Sequence, residues 1–421
     1  MSLLSTNRNF RRLFAASTLS NLGDGVSALA FPWLATLITR DPSLIALVTF
    51  ATRLPWLLLA LPAGVITDRA DRRRLILGAD AFRFVLTFGV VALILASPAL
   101  PLAPGSAVSS QMILGLSVLA FLLGTAEVLR DNAAQTMLPA IVDKSQLERA
   151  NGQLWSVEQV MGSFVGPPLA GFLIAVAVPI PFAFDALTFA LAVWLVWGIA
   201  IPRLKAKEVP TSFIADLKEG VVWILSNRLI LTLAVVLGGL NALHIATTTV
   251  LVLFGQEVLG LSAFGYGILL TAGAAGGVIG GLIAPRVAQI LGNLASLAAA
   301  MVLFMASYLM LYLTSSPIVA GFSLFVGMLG ALLWNVVTVS YRQRVIPDDL
   351  LGRVNSIYRF FGWGMMPLGA LAGGYLVLVF EPSLGREAAL RLPFLCATIG
   401  TLILLGTILA VVRFPQKMAR Q

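Results

Sequence analysis

A chain of 421 residues that is 59% hydrophobic and only 11% charged is not a water-soluble domain; soluble domains carry about 25% charged residues. The formal net charge of +9 raises the question of a polyanionic partner, yet the basic residues cluster on one side of the apolar runs, as membrane insertion requires, so nucleic acid is excluded. The single cysteine, Cys396, excludes an intramolecular disulfide and a cysteine-built metal site.

Twelve apolar runs follow one another along the chain, each near the roughly 20 residues that a spanning helix needs. They lie at residues 13–36, 43–66, 75–97, 110–131, 154–178 and 182–201, then at 229–253, 264–288, 292–313, 317–340, 356–380 and 391–413. The expected fold is all-α and integral to the membrane, with twelve transmembrane helices in two pseudo-symmetric six-helix bundles. An even number of spans puts both basic ends (Arg8, Arg11, Arg12; Arg413, Lys417, Arg420) on the cytoplasmic side of a cell membrane. Of 28 Lys and Arg, three then lie outside (Arg40, Arg386, Arg391) and three within spans (Arg53, Arg83, Arg359). The start, MSLLSTNRNFRRLF, is basic, but no small-residue cleavage site follows, so the first run is expected to be a retained span.

Span one holds Asp24 in SNLGDGVSAL, between Gly23 and Gly25 and with Asn21 one turn before. A charge in hydrocarbon costs at least about 2.5–3.5 kcal/mol, so such a group needs a partner, a proton or a cavity. Asp24 is therefore the leading candidate to carry a coupling proton. Span two contains Arg53, which either snorkels outward or faces a cavity.

The loop after span two reads GVITDRADRRRL, residues 64–75. Gly64, Asp68, Arg69, Arg72, Arg73 and Arg74 resemble the signature between the second and third helices of the major facilitator superfamily, G-x-x-x-D-R-x-G-R-[RK]-[RK]; Asp71 stands where the family usually has glycine. The resemblance implies a cytoplasmic gate. Asp68 would rest on the positive N-terminal end of the eleventh helix near residues 354–356, and Arg69 and Arg72 would pair with acids at the inner ends of spans four and five.

Spans three to five add ionisable residues at one depth: Asp80 and Arg83; Glu127, Arg130 and Asp131; and Glu158. Asp80 with Arg83 reads as a structural ion pair, whereas Glu127 and Glu158 are further candidates for proton coupling. Many superfamily members carry a functional arginine in span four, where this chain offers Glu127. Span five continues as GSFVGPPLAG. Gly162, Gly166, Pro167 and Gly171 resemble the G-x-x-x-G-P pattern of superfamily exporters that exchange substrate for protons. Physically, the glycines make a smooth face for another helix, and Pro167 and Pro168 remove backbone donors and bend the helix.

Residues 202–228 form the longest polar stretch and divide the chain into bundles at 1–201 and 229–421. Arg203, Lys205 and Lys207 suit an inner-leaflet surface. Phe213, Leu217, Val221 and Ile224 at helical spacing predict an amphipathic linker helix on the cytoplasmic face. In the second bundle Asn241 and His244 occupy span seven at positions echoing Asn21 and Asp24, while Trp334 and Asn335 in span ten offer an aromatic wall and an amide. These four, with Asn21 and Arg53, are the candidate cavity residues.

The halves echo each other in GVITDR and GLIAPR, in ERANGQ and GRVNSI, and in PLAG and ALAG, the trace of a transporter built from two like halves. SNLGDG, LGTAEVLRDNAAQTMLPAIV, LERANG, FDALTFAL and WNVVTVSYRQRVIPDDLLGRVNSIYR are similar to the bacterial branch that includes enterobactin exporters and macrolide efflux proteins. The implied function is proton-coupled efflux of amphipathic small molecules (drug, macrolide-like or siderophore) by alternating access. The alternatives are a carrier of another cargo, such as a lysophospholipid or a symported nutrient, and a non-transporting membrane protein. With no HExxH, GxGD or G-x-x-x-x-G-K-[ST], neither intramembrane proteolysis nor direct use of ATP is expected. The expected protein is a monomer without cofactors, driven by the proton gradient, whose partners are the lipid bilayer and a small-molecule substrate.

Overall fold

The apolar runs become helices because a chain in hydrocarbon must satisfy every backbone N–H and C=O internally. A computed structural model describes residues 3–59, 62–103, 106–199, 213–347 and 350–412, and it contains no strand among them. The first six spanning helices are α1 (Arg8–Ile38), α2 (Pro42–Leu59), α3 (Arg72–Leu95), α4 (Ala107–Ile141), α5 (Leu147–Val176) and α6 (Ile180–Trp197). After a linker helix, Phe213–Ser226, come α7 (Arg228–Glu257), α8 (Ala263–Leu291), α9 (Asn293–Leu313), α10 (Pro317–Val345), α11 (Arg353–Leu384) and α12 (Arg386–Val411). Eleven of these helices are long and apolar enough to cross a membrane; α1 is the twelfth, its hydropathy lowered by Ser17, Thr18, Ser20, Asn21 and Asp24. Large apolar side chains such as Trp194, Leu282 and Ile318 stand exposed, as lipid-facing residues do.

The chain divides into two compact units. The first comprises Met1–Arg40, Leu47–Val209 and Ser262–Thr271, and the second Asp41–Ala46, Pro210–Leu261 and Ala272–Gln421. In the first, α1 packs against α6 and α5, and α3 lies between α4 and α6. Phe10, Leu13, Ile76, Met137 and Val196 form one end of its core. In the second, α7 packs on α11 and α12, and α9 on α10 and α12. The linker helix belongs to this second unit: Ile224 is buried in its core, and Glu219 pairs with Arg353 at 2.5 Å. The basic stretch at 203–207 and the side chains of Phe213 and Leu217 lie outside the described residues.

Helix α5 is not a uniform α-helix. Residues Gln159–Val165 form a π-helical turn immediately before the α-helical segment Gly166–Val176. Pro167 and Pro168 have no N–H to donate and crowd the carbonyls of the preceding turn, so the ladder widens there.

Candidate functional site

At mid-span in the first unit, ionisable side chains from α1, α3 and α4 form an alternating chain of charge. With a rise of about 1.5 Å per residue, Arg83 lies about 16 Å into α3 and Asp24 about 24 Å into α1. The guanidinium of Arg83 donates to the Asp24 carboxylate and, at 3.3 Å, to Ser20 Oγ. The nitrogen that donates to Ser20 also lies 3.8 Å from Asp80 Oδ1. The same Asp80 oxygen is 3.7 Å from Arg130 Nε, and Arg130 closes the chain on Asp131 at 3.1 Å. The order is acid, base, acid, base, acid. Burial follows it: Arg83, Asp80 and Arg130 are 4%, 0% and 5% exposed, while the end acids Asp24 and Asp131 are 29% and 36% exposed. Each buried charge thus faces an opposite one, the condition for keeping ions out of water.

The expected Asp80–Arg83 ion pair is present at 3.8 Å, and Arg83 binds Asp24 as well. Asn21 is turned away, donating to the Ser17 carbonyl of its own helix at 2.8 Å. Glu127 joins the cluster electrostatically, within reach of Asp24, Arg83, Asp131 and Arg53. Glu158 is exposed on α5 and feels the charges of Asp131, Asp24 and Arg130. Helix α4 does carry a buried arginine, Arg130, one turn inward of Glu127.

The structure adds an acid that the candidates above omit. Asp185, on α6 in FDALTFAL, is 2% exposed and accepts a hydrogen bond from Ser27 Oγ at 2.6 Å. One turn further along α6, the Phe189 ring lies 4.0 Å beneath the Arg83 guanidinium. The signal was present in the sequence: a carboxylate five residues into an apolar helix is as costly as Asp24.

The glycine–proline run sits where α5 meets two other helices. A Cβ on Gly166 would lie 2.5 Å from the backbone of Gly25, and a Cβ on Gly25 would strike the Gly162 carbonyl. Further along, Gly171 abuts the backbone of Ala263 and Phe264. No side chain larger than hydrogen fits at Gly25 or Gly166, so close approach rather than cargo contact explains these residues.

Between α2 and α3, the backbone of Gly64, Asp68 and Arg69 lies in a short helix, Pro62–Arg69; their side chains lie outside the described residues. Asp71, in place of the family glycine, N-caps α3 by accepting from the Arg74 backbone N–H at 3.1 Å. Arg72 binds the Thr136 carbonyl of α4 at 3.0 Å, rather than an acid as expected. Arg73 donates to the Val196 and Trp197 carbonyls at the end of α6, and Arg12 to Gly198 just beyond. These guanidiniums satisfy carbonyls that a helix end leaves bare.

In the second unit the four candidates do not converge. Asn241 donates to the Gly362 carbonyl at 2.8 Å and so ties α7 to α11. His244 and Asn335 are exposed. Trp334 is 3% exposed within the apolar core beside Leu333, Val337 and Leu297, so it walls no cavity. Its neighbour Asn335 points away because successive helical residues are rotated by about 100°.

Across residues 4–420 the chain matches the family model described as "Transmembrane secretion effector". It is 26% identical over 398 residues to the Multidrug efflux pump Tap of Mycobacterium tuberculosis, covering 90% of each chain. It is 24% identical over 387 residues to the Staphyloferrin A transporter of Staphylococcus aureus, covering 85% of this chain and 87% of that protein. Among solved structures, the nucleoside transporter NupG matches with a TM-score of 0.73 at 10% identity, over 96% of this chain and 99% of that one. A bacterial homologue of the iron transporter ferroportin matches with a TM-score of 0.72 at 17% identity, over 96% and 100%. At such identities the structural likeness speaks for the fold alone. The twelve-helix fold and the match over nearly the whole chain place it: this multi-pass membrane protein is no enzyme but a secondary transporter, and it belongs to the transmembrane secretion effector family of the major facilitator superfamily.

Proposed function

We propose that the chain exports amphipathic small molecules (drugs, macrolide-like compounds or siderophores) in exchange for protons. The proton gradient is its energy source. It works as a monomer in the cell membrane with both termini in the cytoplasm. One observation carries the reading: Asp24, Asp80, Glu127, Asp131 and Asp185 cluster with three arginines, Arg53, Arg83 and Arg130. Full ionisation would leave two net negative charges in a poorly hydrated cluster, and desolvation disfavours that state. Uptake of protons removes the excess. Asp24 is the best-placed acceptor, because it stands at an exposed end of the charge chain and binds Arg83, the arginine stacked on Phe189. Cargo and proton then compete for one site, which couples them, since a ligand shifts only states for which its affinity differs.

The efflux direction draws on the name of the Multidrug efflux pump Tap and on the Gly162–Gly171 run packed against α1. The test is flux of ethidium, a fluorescent cation, in proteoliposomes containing the full-length protein. Accumulation against its gradient that collapses when the pH gradient is dissipated is expected. Uptake indifferent to the pH gradient would instead favour a facilitative carrier of another cargo.

A further inference from the structure

Asp185 is held by the two α1 residues that flank Asp24. Ser27, three positions on, donates to its Oδ2 at 2.6 Å. Gly23, one position before, leaves the space that its Oδ1 fills, since a Cβ there would overlap that oxygen. Oδ1 accepts no hydrogen bond, although the side chain is buried. The Thr188 hydroxyl beside it is spent on the Asp185 main-chain carbonyl at 2.7 Å. Arg83 shows the complementary deficit: its Nε donates to nothing, and Thr87 Oγ1, one turn along α3, is likewise buried without a partner. The guanidinium is already stacked at 4.0 Å on Phe189, one turn from Asp185 on the same face of α6. Asp185 Oδ1 is thus a bare acceptor one helical turn from the ring on which Arg83 stacks, and Arg83, whose current partner is Asp24, keeps a bare donor in Nε.

Helix α6 packs against α1, α3 and the Gly166–Val176 segment of α5. At this depth α1 contributes Asp24, α3 contributes Arg83 with Asp80 behind it, and GPPLAGFLIAV of α5 contributes no ionisable group. Asp80 is divided between Arg83 and Arg130 at 3.8 and 3.7 Å, and helix α4, packed on α3, brings Glu127 into the field of both Arg83 and Asp24. Of these acids Asp24 is the one Arg83 hydrogen-bonds, and Asp185 is the one that shares a helix with its Phe189 platform.

We propose that Asp24 and Asp185 form a carboxyl pair sharing one proton and one counter-ion, Arg83, so that the acid not engaged by Arg83 is the protonated one. In the arrangement seen here Arg83 binds Asp24 and the proton resides on Asp185. When Asp24 takes the proton, Arg83 turns on its Phe189 platform to Asp185, and the buried arginine keeps a counter-ion throughout. Asp185 is then the positioning residue that makes protonation of Asp24 affordable in low dielectric. This deepens the proton-exchange reading and rests on it.

A shared proton belongs to the pair and not to either member, and that makes a distinct test. Infrared difference spectra of the full-length protein in detergent report the C=O band of protonated carboxyls and need no cargo. The wild-type band at neutral pH should shrink in Asp185→Asn, because the proton's present host is gone. It should shrink equally in Asp24→Asn, because Arg83 then engages Asp185 and ionises it. The double variant should lose no more than either single one. Losses that add in the double variant, or a band unchanged in Asp24→Asn, would overturn the pair. Asp185→Glu, which keeps a carboxyl, should restore the band, and failure to do so would also count against it. Ethidium flux tests the exchange reading separately: a shared proton without pH-driven flux would leave the pair standing and the exporter assignment refuted.

Discussion

At the scale of single residues, the chemistry concentrates on Arg83, which touches Asp24, Ser20 and Phe189 together. Its planar fork and its stacking are properties that lysine lacks. Arg83→Lys should therefore keep the positive charge but lose pH-dependent exchange by tenfold or more, about 1.4 kcal/mol, with the protein still present in the membrane. Ethidium flux across a series of imposed pH gradients measures this, and wild-type rates in Arg83→Lys would show that charge alone suffices. Asp24→Asn should bind ethidium yet fail to accumulate it, because an amide cannot titrate. Substrate-induced proton release that persists undiminished in this variant would move the assignment to Glu127. Asp24 was legible as a candidate from sequence because a lone acid in an apolar run is costly. Its partner was not, since Ser20, Asp24 and Arg83 meet only once α1 packs near α3. Trp334 shows the opposite limit. Helical spacing cannot tell a core aromatic from a cavity wall, and packing placed it in the core.

At the scale of elements, the spans follow from hydropathy with small shifts: residues 154–178 became Leu147–Val176, and 110–131 became Ala107–Ile141. The added length is held by tertiary burial, which span hydropathy does not read: Ala133, Met137 and Leu138 of α4 pack into the core of the first unit, with Leu147 of α5 against it. The α1–α5 seam was half legible. Glycines at i and i+4 announced a close approach, but their partner Gly25 was not identifiable without the fold. Because the Gly166 position leaves only 2.5 Å to the Gly25 backbone, Gly166→Leu must part the helices, an overpacking cost of about 1–3 kcal/mol. The expected result is a protein that inserts, melts at lower temperature in detergent and does not exchange. Gly152, with open space around it, is the control: Gly152→Ala should change neither property. The inner end of α6 offers a second case. Arg73 and Arg12 satisfy its last carbonyls, so Arg73→Gln should lower thermal stability modestly, by about 0.3–1 kcal/mol. A melting midpoint equal to wild type would show that Arg12 alone suffices.

At the scale of the whole molecule, the two units echo each other in sequence but not in charge. The sequence from α7 to α12 holds only Glu257, Asp348, Asp349, Glu381 and Glu387 as acids. Glu257 and Glu381 lie at helix ends, both bound by Arg386 at 2.8 Å, and Glu387 pairs with Arg391 at 2.8 Å. Two arginines of these helices stack on aromatic faces: Arg342 lies 3.8 Å over Tyr358, and Arg359 lies 4.3 Å over Trp363. No acid of the second unit stands at mid-span among the described residues. Its one group suited to titration near neutral pH is His244, at the position that echoes Asp24. A duplicated ancestor would carry its proton site twice, whereas among the described residues this chain holds mid-span acids only in the first unit, so the exchanged proton should be a property of that unit. His244→Gln keeps a hydrogen-bonding side chain and removes the titration. Ethidium-induced proton release by the solubilised protein, followed from pH 6 to 8.5, should then match wild type in amount and in pH profile, while the same release vanishes in Asp24→Asn. Loss of the release in His244→Gln, with Asp24→Asn unaffected, would place the coupling proton in the second unit and overturn the division of labour.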